Sequence, residues 1–192
     1  MGLRIVAALG NPGRRYRNTR HNVGFLVASE LLRRWRCGED RLERDAVVSP
    51  IRIEDQAVLV VQPQTYMNLS GVPVGAMVRY RRIETTEVLV VYDDADLPLG
   101  RMRIRSDGGS GGHNGVASLM EHLGTREFLR IRLGIGKDEG ELSDRVLSPF
   151  APEETPAVNS MVESAADAVA VVATEGVLAA MNRFNRRNEP AG

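Results

Sequence analysis

The sequence holds very little cysteine and almost no lysine. Cys37 is the only cysteine among 192 residues, so neither an intrachain disulfide nor a cysteine zinc site can form. We expect this single thiol to lie in the core. Lys137 is the only lysine, so arginine, which binds phosphate through two parallel hydrogen bonds, supplies nearly all of the 25 basic side chains.

Long apolar runs are also missing. No uncharged stretch approaches the ~18 apolar residues that a helix needs to span a bilayer. The first residues lack the apolar segment and small-residue cleavage site of a secretion signal. We therefore expect a cytoplasmic protein with no membrane partner. Hydrophobic residues at 43% and charged residues at 26% are typical of a globular chain and argue against disorder.

The chain has no net charge, since 25 basic and 25 acidic residues cancel. An even spread of these charges would argue against a polyanionic partner, but the two signs are separated along the sequence. Residues 1–50 contain ten arginines and five acidic residues, whereas residues 138–175 contain nine acidic residues and only Arg145. We expect one basic and one acidic side of the molecule.

Apolar periodicity predicts an α/β fold. Residues 4–9, 58–61 and 88–91 are short apolar runs typical of buried strands, and helical stripes lie between and after them. The absence of a linker or repeat predicts one domain over residues 1–192. The residues of the helical stripes are Phe25, Ala28, Leu32 and Trp35; Val116, Leu119, Met120 and Leu123; and Val162, Ala165, Ala166, Val169 and Val172.

Two segments alternate strictly between arginine and apolar residues. Residues 101–105 are RMRIR, and residues 129–133 are LRIRL. Because strand side chains alternate between faces, each segment is predicted to be a half-buried strand with its arginines on one face. If the two strands are neighbours, Arg105, Arg130 and Arg132 belong to one arginine cluster. The alternative is that these arginines simply face water.

Polar residues follow two of the predicted strands. Asn11 comes directly after the first strand, and Asp93 follows the strand that ends at Val91. In open α/β sheets ligands bind outside the carboxyl ends of strands, so both residues are candidate site residues. His21, before a helix, and His113, after a glycine-rich run, are candidate site histidines.

Two other kinds of chemistry can be considered for the same residues. Asp93, Asp94 and Asp96 could together bind Mg²⁺ in a phosphohydrolase. Ser110 lies in a Gly-x-Ser-x-Gly pattern, but the acid and histidine of a nucleophile-elbow enzyme do not follow it in the required order. The magnesium site therefore stays open as an alternative, and we do not expect a serine nucleophile.

Five motifs occur in order along the chain. LGNPG at residues 9–13, Tyr16 and TRHNVG at 19–24 form the first, and YMNLSG at 66–71 the second. YDDADLP at 92–98, GGSGGHNG at 108–115 and RLGIG at 132–136 complete the series, with NRFN at 182–185 near the end. Together they resemble the bacterial peptidyl-tRNA hydrolase family. The chain departs from the family pattern at Ala8, Tyr92 and Asp107, none of which is an expected catalytic group.

The resemblance implies a single α/β domain with a twisted, mixed central β-sheet flanked by helices. It also implies hydrolysis of the ester between a peptide and the 3′ ribose of tRNA, with no cofactor and no metal. His21 would be the general base, supported by Asp93. The implied partner is the acceptor end of peptidyl-tRNA, bound by a monomer, and a non-catalytic RNA-binding relative is the rival interpretation. The implied substrate-binding residues are Asn11, Tyr16, Tyr66, Met67, Asn68, His113 and Asn114, and Arg105, Arg130 and Arg132 would contact tRNA phosphates.

Overall fold

A computed structural model describes residues 2–136 and 142–185, so Lys137 lies outside the described part. Within it, seven strands form one sheet in the order β2-β3-β4-β1-β5-β7-β6. The strands are β1 (Ile5–Ala8), β2 (Arg41–Glu43), β3 (Ala46–Ile53), β4 (Gln56–Pro63), β5 (Val88–Asp94), β6 (Met102–Arg105) and β7 (Leu129–Gly134). The helices are α1 (Val23–Trp35), α2 (Gly71–Arg81), α3 (Asn114–Leu123), α4 (Leu142–Val146), α5 (Thr155–Thr174) and α6 (Val177–Phe184).

The sheet is mixed, which confirms the predicted fold class. Strands β4, β1, β5 and β7 run parallel to one another in the centre. The β2-β3 pair at one edge and β6 at the other are antiparallel to their neighbours. Helices cover both faces, and for this reason apolar residues predominate in β1, β4 and β5. None of the helices in the described ranges combines the length and the apolar character needed to cross a membrane.

The core lies on both faces of the sheet because successive strand residues point to opposite sides. Val6 and Ala8 of β1 belong to the cluster that packs against α1, α5 and α6. Ile5 and Ala7 belong to the cluster that packs against α2 and α3. The central strands are thereby held rigidly, and their carboxyl ends form a fixed platform for side chains.

Cys37 is exposed, which corrects the prediction of a core thiol. It lies just after α1, where its main-chain N–H donates to the carbonyl of Pro50 at 3.1 Å. The backbone is thus tied to β3 while the side chain points outward.

The register of β6 and β7 confirms the predicted arginine cluster. Arg103 lies opposite Arg132, and Arg105 lies opposite Arg130. Directly opposed residues share a face of the sheet, so all four arginines lie on one face. The prediction of a half-buried β7 is wrong, since β7 lies between β5 and β6 and only Arg132 is not buried.

Candidate active site

The candidate site lies at the carboxyl ends of β1 and β5. Asn11 follows β1, and His21 lies in a 3-10 turn (Arg20–Asn22) that leads into α1. Asp93 is the last residue but one of β5, because the strand continues past Val91 to Asp94 instead of ending before Asp93 as predicted. Gly24 lets this turn approach the strands, because a Cβ at this position would lie 2.4 Å from the carbonyl oxygen of Leu9. A glycine three residues after His21 therefore brings the histidine to the strand ends.

Three side chains form one hydrogen-bonded cluster here. His21 Nδ1 lies 2.7 Å from Asp93 Oδ1, and His113 Nε2 lies 2.9 Å from the same oxygen. The centroids of the two imidazole rings are 4.9 Å apart. Asp93 is only 2% exposed, and both histidines face the cavity described below. We call His21, Asp93 and His113 the catalytic cluster.

The electrostatics of the catalytic cluster keep its carboxylate ionised. Burial by itself raises the pKa of Asp93, but attraction to the imidazoles and the hydrogen bonds of His113 and His21 outweigh burial and hold the pKa below its usual range. Asp93 therefore accepts hydrogen bonds at neutral pH. With Nδ1 of His21 directed at this carboxylate, Nε2 is the ring nitrogen left to take a proton.

Three hydrogen bonds, two with Asn22 and one with Met67, hold Asn11 in place. Asn22 accepts from the main-chain N–H of Asn11 at 2.8 Å and donates to its carbonyl at 2.9 Å. The main-chain N–H of Met67 donates to Asn11 Oδ1 at 2.7 Å. The side-chain amide NH₂ of Asn11 is thus left to act as a donor. Sequence reasoning missed Asn22, although its place beside His21 in the TRHN motif is a usable signal.

The other predicted substrate-binding residues differ in exposure. Asn68 and Asn114 are exposed, and within the described part of the chain neither amide has a hydrogen-bond partner. Tyr16 and Tyr66 pack edge to face, with ring centroids 6.3 Å apart. Met67 is buried in the core beside α3 rather than lining an open wall. The two asparagines and two tyrosines therefore remain accessible to a ligand.

A cavity of about 730 Å³ opens beside the catalytic cluster. His21, Asp93, His113 and Asn114 line it together with the glycine loop, residues 108–112. Arg145 and Val146 of α4 also line the cavity, and neither residue lies in a motif that marks it as a site residue.

The three predicted phosphate ligands have different surroundings. Arg105 is exposed, and Arg132 lines the cavity while its Nε donates to Asp94 Oδ2 at 2.5 Å. Arg130 is 1% exposed and donates to the carbonyls of Gly108 and Gly109 at 2.6 and 2.8 Å. Arg105 and Arg132 can meet a ligand directly, whereas Arg130 supports the glycine loop from beneath.

The alternative magnesium site is not assembled. Asp94 accepts from Arg132 and from the main-chain N–H of Asp96, so its carboxylate turns away from Asp93. In residues 2–136 and 142–185 the compact group of candidate metal ligands is instead the catalytic cluster, with ligand atoms within 4.8 Å of one another.

The catalytic cluster also fits a metal poorly. Nδ1 of His113 accepts from the main-chain N–H of Val116 at 3.3 Å. A metal on Nε2 would require the proton of the neutral ring on Nδ1, where it would face another donor. The hydrogen bonds of the cluster therefore favour a proton, and not a metal ion, on Nε2 of His113.

Comparison with known proteins places the chain in one family. The family model for peptidyl-tRNA hydrolase matches residues 5–191. The peptidyl-tRNA hydrolase of Syntrophomonas wolfei subsp. wolfei is 44% identical over 183 residues, covering 95% of this chain and 100% of that protein. The one of Oceanobacillus iheyensis is 45% identical over 189 residues, covering 96% and 100%.

A crystal structure of peptidyl-tRNA hydrolase from Acinetobacter baumannii has the same fold. It matches with a TM-score of 0.91 at 30% identity, covering 98% of this chain and 97% of that one. These matches confirm the resemblance carried by the five motifs, and the chain belongs to the peptidyl-tRNA hydrolase family.

Proposed function

We propose that the protein hydrolyses peptidyl-tRNA at the ester between the peptide and the 3′ ribose, with His21 as the general base. The observation that carries this proposal is the 2.7 Å contact between His21 Nδ1 and Asp93 Oδ1 beside the cavity. It fixes the imidazole so that Nε2 can take a proton from water, and the carboxylate stabilises the imidazolium that results.

Water attacks the ester carbonyl as His21 takes its proton, which creates a tetrahedral oxyanion. When this intermediate collapses, the bond to the ribose oxygen breaks and the His21 imidazolium returns the proton to that oxygen. Until then the oxyanion needs a hydrogen-bond donor. The Asn11 amide NH₂ fills this role because its Oδ1 is occupied by Met67 and its backbone is fixed by Asn22. A donor held in place before the reaction costs no reorganisation during it. Asn68 and Asn114, with their amides available, bind the peptide backbone, and Tyr16 and Tyr66 contact its side chains.

The tRNA lies toward β6 and β7 in this proposal. Arg105 and Arg132 contact acceptor-end phosphates, while Arg130 holds the glycine loop over the cavity. We further propose that the enzyme works as a cytoplasmic monomer. A substrate that carries its own phosphates and ester requires no second copy of the chain.

The test is deacylation of N-acetyl-aminoacyl-tRNA in buffer that contains EDTA. We expect turnover in wild type, and we expect His21→Ala to lower kcat by about 10²–10⁴-fold because it removes the base. His122→Ala, which removes a histidine outside the cavity, is the matched control and should retain the wild-type rate. Loss of activity in EDTA would favour metal-dependent hydrolysis instead. More than about a tenth of the wild-type rate in His21→Ala would contradict its role as base.

A further inference from the structure

The two ring nitrogens of His113 contact different parts of the protein. Nδ1 accepts from the main-chain N–H of Val116 and caps the N-terminus of α3. Nε2 lies 2.9 Å from Asp93 Oδ1. Since a main-chain N–H can only donate, Nδ1 must carry a lone pair, and the proton of the neutral ring lies on Nε2. The helix cap therefore makes His113 a donor to Asp93.

Asp93 Oδ1 consequently receives two N–H groups, one from each histidine. Each hydrogen bond draws on the negative charge of the carboxylate. The bond from His113 therefore weakens the bond that the same oxygen makes with His21. The other charged groups that line the same cavity are Asp94, Asp96, Arg130, Arg132 and Arg145. The Tyr92 ring packs edge-on against His113 at 5.0 Å, and Arg130 reaches the Tyr92 hydroxyl from β7.

We propose that His113 is a positioning residue for the hydrolysis, which fixes the Asp93 carboxylate and weakens its hold on the His21 proton. This role replaces the substrate contact expected from the sequence, and it rests on the proposed function of His21 as base. With Asp93 shared between the two histidines, the carboxylate stabilises the His21 imidazolium less. The same residue also links the glycine loop to Asp93, since its main-chain N–H donates to the carbonyl of Ser110 at 3.0 Å while its side chain contacts Asp93.

His113→Asn separates the two contacts. Asparagine is a strong N-cap, so its Oδ1 can still accept from the Val116 N–H. Its side chain is too short to donate to Asp93 as well. His122→Asn makes the same substitution on the same helix, away from the catalytic cluster, and serves as the control.

We expect His113→Asn to shift the acidic limb of the kcat/KM profile upward by about one pH unit, which is about a tenfold loss near pH 6. The rates should converge at high pH, and both KM and the melting temperature should stay at their wild-type values. A raised KM with an unmoved acidic limb would assign His113 to substrate binding. A profile identical to that of wild type would reduce its role to capping α3. Either result overturns the proposal.

A second readout does not depend on hydrolysis. The His21 ring titration, followed by NMR in the resting protein, should move to higher pH in His113→Asn and stay fixed in His122→Asn. This shift separates failure of the inference from failure of the proposed function. An inactive wild-type protein with a shifted His21 titration would refute only the proposed function, and an unshifted titration would refute the inference.

Discussion

At the scale of single residues, most hydrogen-bonding groups of His21, Asp93 and Asn11 already have a partner within the protein. Asp93 Oδ1 accepts hydrogen bonds from both histidines, and Asn11 Oδ1 accepts one from the main-chain N–H of Met67. Among these three residues, one imidazole nitrogen of His21 and the amide NH₂ of Asn11 are left for the base and the donor of the proposed mechanism, which are the two groups that water attack on an ester needs.

Asp93→Asn tests the charge of the carboxylate without changing its shape. An amide oxygen can still accept from His21, but it cannot stabilise the imidazolium, so we expect kcat to fall by about 10²–10⁴-fold. Asp55→Asn, in the exposed turn between β3 and β4, is the control. Steady-state deacylation and circular dichroism of both variants check this. A folded Asp93→Asn enzyme with near-normal kcat would contradict the role of the charge.

The exposed amides of Asn68 and Asn114 predict selectivity for a blocked amino group. A free α-ammonium beside neutral amides loses water without gaining a counter-charge, so aminoacyl-tRNA should be cleaved more slowly than its N-acetyl form. Asn68→Asp supplies a carboxylate of the same shape and should shift the ratio of the two rates toward the free amine by about tenfold. Equal rates for both substrates in wild type would refute this explanation.

At the scale of elements, the strands and helices with regular apolar patterns were predictable, and β3 and α2 were not. β3 contains Pro50, which argues against a strand inside a sheet. The pairing of β2 ends at Val48, however, so Pro50 removes no hydrogen bond from the ladder between β2 and β3. In α2, Pro73 lies in the first turn, where an N–H needs no partner. Neither arrangement can be seen without the neighbouring elements.

Helix α1 was also predictable only in part, because its buried face differs from the predicted one. Of the predicted stripe, Ala28 is fully buried, whereas Phe25, Leu32 and Trp35 are only half-buried at the margin of the core. The fully buried stripe includes Val27 and Leu31, one position away. The period of the pattern predicts the helix, but the angle at which α5 covers α1 decides which residues face inward.

The candidate site was likewise predictable in part: the sequence indicated some of its residues but not the contacts between them. Asn11 and Asp93 were predictable from their places after strands. The contact of His113 with Asp93 was not, because it depends on where α3 starts relative to β5. The support of Asn11 by Asn22 requires the same three-dimensional knowledge. Sequence reasoning thus located the site but not the hydrogen bonds that define its proton positions.

Packing of α1 against α5 gives a prediction about pH. Arg33 and Arg34 both donate to Glu30, and Arg34 also donates to Asp167 of α5 at 2.6 Å. The hydrogen bond from Arg33 is the main cause that lowers the pKa of Glu30 from 4.5 to about 2. The folded state therefore binds this proton less readily than the unfolded state, and Glu30 stabilises the fold above pH 4.5 and ceases to do so as the pH falls toward 2.

Glu30→Gln should lower the free energy of unfolding by about 1 kcal/mol at pH 7, a value limited by the screening of ion pairs near the surface. The difference from wild type should shrink below pH 4.5. Urea unfolding at a series of pH values measures it, with Glu121→Gln on the exposed side of α3 as the control. A difference that does not change with pH would show that packing, not charge, is responsible.

At the scale of the whole molecule, the two charged segments of the sequence meet. Arg20, from the basic segment, pairs with Glu154 of the acidic one at 2.6 Å, and Arg34 pairs with Asp167. The expectation of two separate charged sides therefore holds only in part, since some of these charges neutralise each other. Some arginines of the first fifty residues, Arg20 and Arg34 among them, are therefore engaged in ion pairs within the protein. Two members of the arginine cluster on β6 and β7, Arg130 and Arg132, line the cavity.

This arrangement predicts that phosphate binding can be separated from chemistry. Arg105→Ala together with Arg132→Ala should raise KM for peptidyl-tRNA and flatten its salt dependence by roughly one log unit of slope per lost phosphate contact. The matched control is Arg41→Ala together with Arg52→Ala, which removes two exposed arginines at the opposite edge of the sheet.

A minimal substrate, N-acyl-aminoacyl-adenosine, lacks the acceptor-stem phosphates and makes the test decisive. The Arg105/Arg132 variant should cleave it almost as well as wild type does, because the catalytic cluster and Asn11 are untouched. Equal loss on both substrates would mean that the arginines support the site itself, through the pairing of Arg132 with Asp94. If neither substrate is affected, the phosphates bind elsewhere, and exposed arginines of the first fifty residues that the control leaves in place, Arg14 and Arg15 among them, become the next to be changed.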